Sequence, residues 1–206
     1  MSGLAQKPFR DAMIERRSIY SLGRTLPAGI TDDRIVEFVN ESVKHSPTAM
    51  NSQSSRAIVL LAAHHERFWD LVKEKLETLV DDDDSWKSTK EKLESFRAAY
   101  GTILLFEDYG VVEKWQEKVP LYKDQFPEWA EHAHGILSYV IWTGLQAEGL
   151  GVHFQHYNPV IDDKVQKEWN VPESWKLRGQ LVFGEALESA GDKDFEPLDK
   201  RVKVFQ

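Results

Sequence analysis

Apolar residues return along the chain at two periods, that of a helix and that of a strand, and the switches between them mark out its elements. After Thr31, followed by Asp32 and Asp33, the residues Ile35, Phe38, Val39 and Val43 stand at helical spacing. A capping hydroxyl and two first-turn carboxylates answer the free N–H groups of a helix start, so a helix is predicted here. Stretches 65–80 and 85–98 are charged and amphipathic with the same period and predict two more helices. The four aspartates between them, at 81–84, repel one another and read as a solvated connection. Three β-rich runs, at 57–63, 102–106 and 180–183 with its flanks, predict strands. The longest helix is predicted over 127–149. From 136 to 145 it is apolar nearly all round, which a helix tolerates only when packed on several sides. It belongs in the centre of the core or at a subunit interface. Residues 150–159 follow without a long loop and predict a short buried strand. In the tail at 196–206, the alternation Arg201-Val202-Lys203-Val204-Phe205 suits a final strand with two bases on one face. Helices and strands interleaved in this way predict an α+β layered domain.

The chain has 206 residues and no repeat, proline-rich linker or break in composition, which predicts one domain over 1–206. Its 41% hydrophobic and 29% charged residues are those of a soluble globular protein, and no apolar run of about 18 residues is present to span a membrane. The absence of cysteine removes disulfides, thiolate metal sites and cysteine nucleophiles, and fits a reducing, cytoplasmic compartment. Residues 1–17 lack an apolar centre and mix Asp11 and Glu15 with the bases, unlike a signal or transit peptide. A net charge of −8 argues against a nucleic-acid partner, because phosphate backbones need a basic surface. Local bases can still bind a single phosphate.

Three segments carry residues suited to ligand chemistry. Arg16-Arg17-Ser18 closes a helix expected to begin near Pro8; two guanidiniums and a hydroxyl can grip a terminal phosphate. The competing reading is that these are cations at a helix C-terminus. His45-Ser46-Pro47-Thr48-Ala49-Met50-Asn51-Ser52-Gln53 joins a helix to a strand, and its small and amide residues would let the backbone approach a flat ligand. Gly149-Leu150-Gly151-Val152-His153-Phe154-Gln155-His156-Tyr157-Asn158-Pro159 sets polar and ring-bearing side chains in a segment expected to be buried. Buried polar groups need partners, either a ligand's polar edge or one another.

The order of these segments, with the buried helix between them and the basic tail after them, resembles the FMN-dependent nitroreductase family. Within it, the resemblance is to the short, fatty-acid-repression-mutant-like branch of fungi and bacteria, and runs from about Phe9 to Phe205. It implies a nitroreductase-like fold, a central and mostly antiparallel sheet wrapped by helices, in a homodimer with FMN at the interface. It implies that Arg16, Arg17 and Ser18 hold the FMN phosphate and ribityl chain. Pro47, Thr48, Ala49 and Asn51, assisted by Gln53, would lie along the flavin ring of the neighbouring subunit. Gln155, His156 and Asn158 would line the ring and its polar edge, and Arg201 and Lys203 would complete the phosphate site. Tyr20 departs from the pattern: many members carry Lys or Arg there, near the pyrimidine edge where reduction places negative charge. A tyrosine hydroxyl or main-chain donors must substitute. The implied activity is hydride transfer from NAD(P)H through FMN to nitroaromatic, quinone or similar small electrophiles, by a ping-pong scheme and without a covalent catalytic side chain.

Other chemistries find less support. No Gly-x-Gly-x-x-Gly follows a strand, so no Rossmann nicotinamide site is predicted. His132 and His134 are two apart on a helix, and His153 and His156 three apart around a strand, so neither pair shares a face for a metal. Gly-x-Ser-x-Gly is absent, which removes the common serine hydrolase elbow. The rival from another class is a flavin-binding regulatory or redox-sensing protein with incidental turnover. Phe106, Trp115, Tyr122 and Phe126 precede the long helix and are the aromatics from which pocket walls would come, with no ground to choose among them.

Overall fold

The computed structural model describes residues 7–206; residues 1–6, the start of the segment read above for a targeting sequence, lie outside them. In chain order the elements are α1 (Phe9–Glu15), β1 (Leu22–Gly23), α2 (Asp32–His45), β2 (Ser55–Leu61), α3 (Ala62–Glu77), α4 (Asp83–Arg97), β3 (Gly101–Asp108), α5 (Tyr109–Lys118), α6 (Phe126–Ala147), β4 (Leu150–Gln155), α7 (Asp162–Trp169) and β5 (Trp175–Ala186). Short 3-10 segments stand at Ala49–Asn51, Pro120–Gln125 and Leu198–Lys200.

All strand pairs are antiparallel, and β5 is the axis of the sheet. β3 pairs with it from Gly101↔Phe183 to Asp108↔Trp175, and β4 from Leu150↔Glu185 to Gln155↔Gln180. Because both use positions 180–183 of β5, they flank it on opposite edges. β2 continues the sheet beyond β3, and β1 meets the end of β5 at Leu22↔Ala186.

Helices cover both faces, which explains why β3 reads as an unbroken apolar run. Leu104 and Phe106 point to one face, where Phe68, Trp69 and Val72 of α3, Leu93 and Phe96 of α4 and Val165 of α7 pack on them. Ile103 and Leu105 point to the other, against Ile35 and Val39 of α2 and Leu137, Ile141 and Leu145 of α6. Each of these side chains, fully buried, stabilises the fold by roughly 1.5–3 kcal/mol, so the three layers hold one another. The helix predicted as apolar all round is therefore packed on its sheet side. Its other side keeps Ile136 at 40% exposure, with His132 and Gly135 exposed beside it.

The predicted helix starting after Thr31 is α2, and Thr31 caps it by accepting from the Arg34 N–H. The final strand expected at 201–205 does not form. After the turn at Leu198–Lys200 the tail has no regular structure, and Val202, Val204 and Phe205 are exposed. A strand needs a neighbour's ladder, and among the described residues none is offered to the tail. No helix of the described residues is long and apolar enough to cross a membrane.

Candidate functional site

The chain leaves α1 before the two arginines. The Arg16 N–H still bonds the Ala12 carbonyl at 3.1 Å, but at φ −58° and ψ 120° the backbone has turned out of the helix. Arg17 is then fixed through both of its backbone polar groups: its N–H donates to Gln146 Oε1 at 3.0 Å, and Gln146 Nε2 donates to its carbonyl at 2.7 Å. Two residues on, the Ile19 N–H donates to the Val152 carbonyl at 3.0 Å and lays the segment along β4. The Arg16 guanidinium lies over the Trp142 ring, 4.4 Å from its centroid, and makes no hydrogen bond or ion pair among the described residues. That placement does not favour a helix-capping role, because the side chain rests on α6 and not on the last carbonyls of α1. Arg17 Nη2 reaches the Gly191 carbonyl at 2.6 Å and ties down the root of the tail. Ser18 is half-buried, and Tyr20 is exposed above His153.

The polar residues of the third segment are partly answered by each other. Gln155 Nε2 donates to His153 Nδ1 at 3.0 Å, leaving His153 Nε2 buried with no partner among the described residues. Burial pushes His153 down to about 3, so the ring is neutral at ordinary pH. Beyond β4, His156 is exposed and meets the Phe154 ring edge-on at 4.4 Å. Gln180 of β5 organises the turn that follows: its Oε1 accepts from the Tyr157 N–H at 2.8 Å, and its Nε2 donates to Asn158 Oδ1 at 3.3 Å.

The 47–53 loop is strained. Met50, Asn51 and Gln53 have φ of 52°, 52° and 55°, the left-handed region, which costs residues such as Met and Gln roughly 1–2 kcal/mol each and asparagine less. Strain of this kind persists where surrounding contacts enforce it, commonly at ligand sites. The contacts here are Thr48 Oγ1, which accepts from the Gln53 N–H at 2.9 Å, and the buried Glu107, which accepts from Ser54 and Ser55 at the loop's foot. Pro47, Thr48, Ala49 and Met50 form one wall of a cavity of about 400 Å³; Trp129, His132, Ala133 and Ile136 of α6 form the other.

The structure thus gathers Arg16, Arg17, Ser18 and Tyr20 beside β4 with Gln155, His156 and Asn158 near its end. It does not bring Pro47, Thr48, Ala49, Asn51 and Gln53 to them. The loop sits against α6 near position 132 and the arginines near 144, a separation of roughly 18 Å at 1.5 Å per residue. Arg201 and Lys203 lie on the exposed tail and make no side-chain hydrogen bond or ion pair among the described residues. Of the four aromatics considered for pocket walls, Phe106 is deep in the core and Phe126 packs with Val112, Ala130 and Trp115. The ring on the cavity is Trp129, which Tyr122 contacts at 5.8 Å. Sequence reasoning also passed over Trp142, Gln146 and Gln180; the four-residue spacing of the first two on a helix that follows Arg-Arg-Ser was the available signal.

Residues 13–185 match the nitroreductase family. Two proteins of Saccharomyces cerevisiae are similar to the chain over most of its length. HBN1 is 37% identical over 92% of this chain and 93% of its own, and the nitroreductase FRM2 is 35% identical over 91% and 92%. Among solved structures, nitroreductase CinD from Lactococcus lactis in complex with nicotinic acid superposes with a TM-score of 0.88 at 44% identity, covering 97% of this chain and all of that one. The same enzyme in complex with 4-nitrophenol gives 0.87 at 43% over the same shares. A nitroreductase with bound FMN from Desulfitobacterium hafniense shares the fold, with a TM-score of 0.67 at 17% identity over 96% of this chain and 97% of its own.

Proposed function

The chain belongs to the nitroreductase family, and we propose that it is an FMN-dependent oxidoreductase, a homodimer that reduces nitroaromatics, quinones and similar electrophiles with NAD(P)H. The observation that carries the reading is Arg16, a half-buried guanidinium set over an indole with no acceptor among the described residues. Its N–H groups are not used by the chain, and a phosphate would take them in charge-assisted bonds.

The donor set fits FMN. Arg16, Arg17 and Ser18 would hold the phosphate and ribityl chain, with Arg201 and Lys203 brought in by the tail. Tyr20, Gln155, His156 and Asn158 would meet the polar edge of the ring. Pro47, Thr48, Ala49, Asn51 and Gln53 would cover its face from the second subunit, which agrees with their distance from Arg16 within one chain. When bound, FMN supplies hydride chemistry between a nicotinamide donor and the acceptor. The residues of this chain bind, orient and exclude water. The apolar cavity beside Trp129 suits a flat ring. CinD holds both a nitroaromatic and nicotinic acid, whose pyridine ring is that of nicotinamide. A single pocket used in turn by donor and acceptor would give ping-pong kinetics.

The test compares FMN and riboflavin binding by flavin fluorescence in wild type, Arg16→Ala and Arg201→Ala. Loss of a charge-assisted contact weakens FMN by about 1.5–3 kcal/mol, roughly tenfold or more, and spares riboflavin, which lacks the phosphate. Unchanged FMN affinity in both variants would overturn the phosphate site. Steady-state oxidation of NADH and NADPH with nitroaromatics and quinones tests the activity. An FMN-loaded protein that turns over neither would be a binding or sensing protein instead.

A further inference from the structure

We propose that Trp142 and Gln146, four residues apart on α6, are positioning residues that set the Arg16 guanidinium to receive the FMN phosphate; the inference rests on the reading of Arg16 given above. Residues four apart on a helix share a face on adjacent turns, so the two side chains form one platform under the Arg16-Arg17 segment. Gln146 fixes the backbone. Its amide both donates to and accepts from Arg17, and this two-point contact holds the two peptide groups on either side of the Arg17 Cα. Trp142 fixes the side chain. With its charge over the indole face, 4.4 Å from the centroid, Arg16 keeps its N–H groups for another partner.

The indole itself sharpens the argument. Trp142 Nε1 is buried and has no hydrogen-bond partner among the described residues. Leucine or phenylalanine would fill much of the same space without an unmatched N–H. Tryptophan, however, offers a cation the strongest aromatic face. An arginine ordered before the ligand arrives also spares binding the cost of freezing a long side chain.

The experiment measures FMN and riboflavin affinity by flavin fluorescence for Trp142→Leu, Trp142→Phe, Gln146→Leu, Arg16→Ala and the double variant Arg16→Ala/Trp142→Leu. Trp142→Leu should weaken FMN about three- to thirtyfold and change riboflavin by less than about twofold. Trp142→Phe should fall between, and Gln146→Leu should lower the FMN preference in the same sense. Without Arg16, the change at Trp142 should no longer alter the FMN-to-riboflavin ratio. Equal losses for the two flavins would make the platform merely structural and overturn the proposal. If Arg16→Ala lowers the ratio while the Trp142 and Gln146 variants keep it, positioning fails and the phosphate site stands. An unchanged ratio in Arg16→Ala removes both. Should Trp142→Leu not fold, Trp142→Phe and Gln146→Leu decide by the same ratio.

Discussion

Tyr20 rests on His153, their ring centroids 5.1 Å apart and their planes 25° from parallel, so that an exposed phenol is seated on a buried imidazole. Gln155 donates to His153 Nδ1, which places the ring proton on Nε2. A second proton would have to enter a site walled by Phe96, and Lys92 adds its repulsion. The residue that stands where many family members have a cation is thus seated on a ring that stays neutral.

This burial has a consequence for stability. His153 is held down to about 3, and His65 and His134 to about 4, all chiefly by burial. Their unfolded counterparts take a proton near 6.5. Below about 6.5 the unfolded chain binds more protons than the folded one, so stability falls with pH until the folded rings titrate near 3–4. His153→Phe keeps a ring beneath Tyr20 and removes one titrating group. Between pH 6 and 4 the slope of unfolding free energy against pH should drop by nearly one proton, about 1.4 kcal/mol per pH unit. Denaturant unfolding at several pH values measures it; an unchanged slope would mean that His153 is already protonated when folded.

Glu107 works in the opposite direction. It is fully buried at the end of β3, and Ser54 and Ser55 each donate to one of its oxygens at 2.5 Å. Burial raises it to about 7 against the pull of the two hydroxyls. The folded chain therefore keeps a proton that the unfolded chain releases near 4.5. The stability this contributes is complete below about 4.5 and is lost as pH rises through about 7. Glu107→Gln cannot ionise, so from pH 5 to 8 its stability relative to wild type should improve by about 1–3 kcal/mol. Melting temperatures of both proteins across that range give the comparison. A constant offset would show that Glu107 is ionised throughout.

Much of the architecture was legible because its apolar runs and helical periods stood out. The β-rich runs at 57–63 and 102–106 located β2 and β3, and the long apolar stretch located α6 to within two residues at each end. α5 and α7 were not predicted. Yet α7 carries Asp162 and Asp163 in its first turn and ends on a left-handed Asn170, signals present in the sequence. The alternation at 201–205 pointed to a strand, but a pattern cannot supply the edge on which a strand pairs. At the site, the residue types of the three segments pointed to a ligand, and the fold gathers two of them beside β4 while keeping the 47–53 loop apart. Trp142 and Glu107 were hidden for a shared reason: a tryptophan in an apolar helix reads as core, and a glutamate at a strand end reads as solvated. Only the fold sets Arg16 over the first and two serine hydroxyls on the second.

The junction of α2 with α6 offers a packing test. A Cβ on Gly144 would lie 2.0 Å from Cζ of Phe38, so only glycine lets this ring seat against the helix. Alanine improves helix propensity by about 1 kcal/mol, while overpacking a core costs about 1–3 kcal/mol. At 2.0 Å the ring must move, and the clash wins. Gly144→Ala should lose up to about 2 kcal/mol net, read by urea unfolding. A gain in stability would mean that Phe38 has free space to swing into.

The last prediction concerns two copies. Along α6 the Arg16 platform and the cavity of the 47–53 loop are separated by roughly 18 Å, too far for one flavin ring to contact both in a single chain. The cavity's outer rim is apolar, with Ile136 at 40% and Met50 at 47% exposure. A specific dimer covering this rim should bury more than about 1,000 Å². Ile136→Glu places a carboxylate in that contact, where desolvation is unfavourable, while Arg16, Trp142 and Gln146 are untouched. Sedimentation should therefore show the variant dissociating, and FMN occupancy should fall with it although the phosphate residues are intact. At high protein concentration both should recover together, because mass action restores the pair. A variant that sediments as a monomer yet binds FMN as tightly as wild type would place the whole flavin site within one chain and remove the 47–53 loop from it.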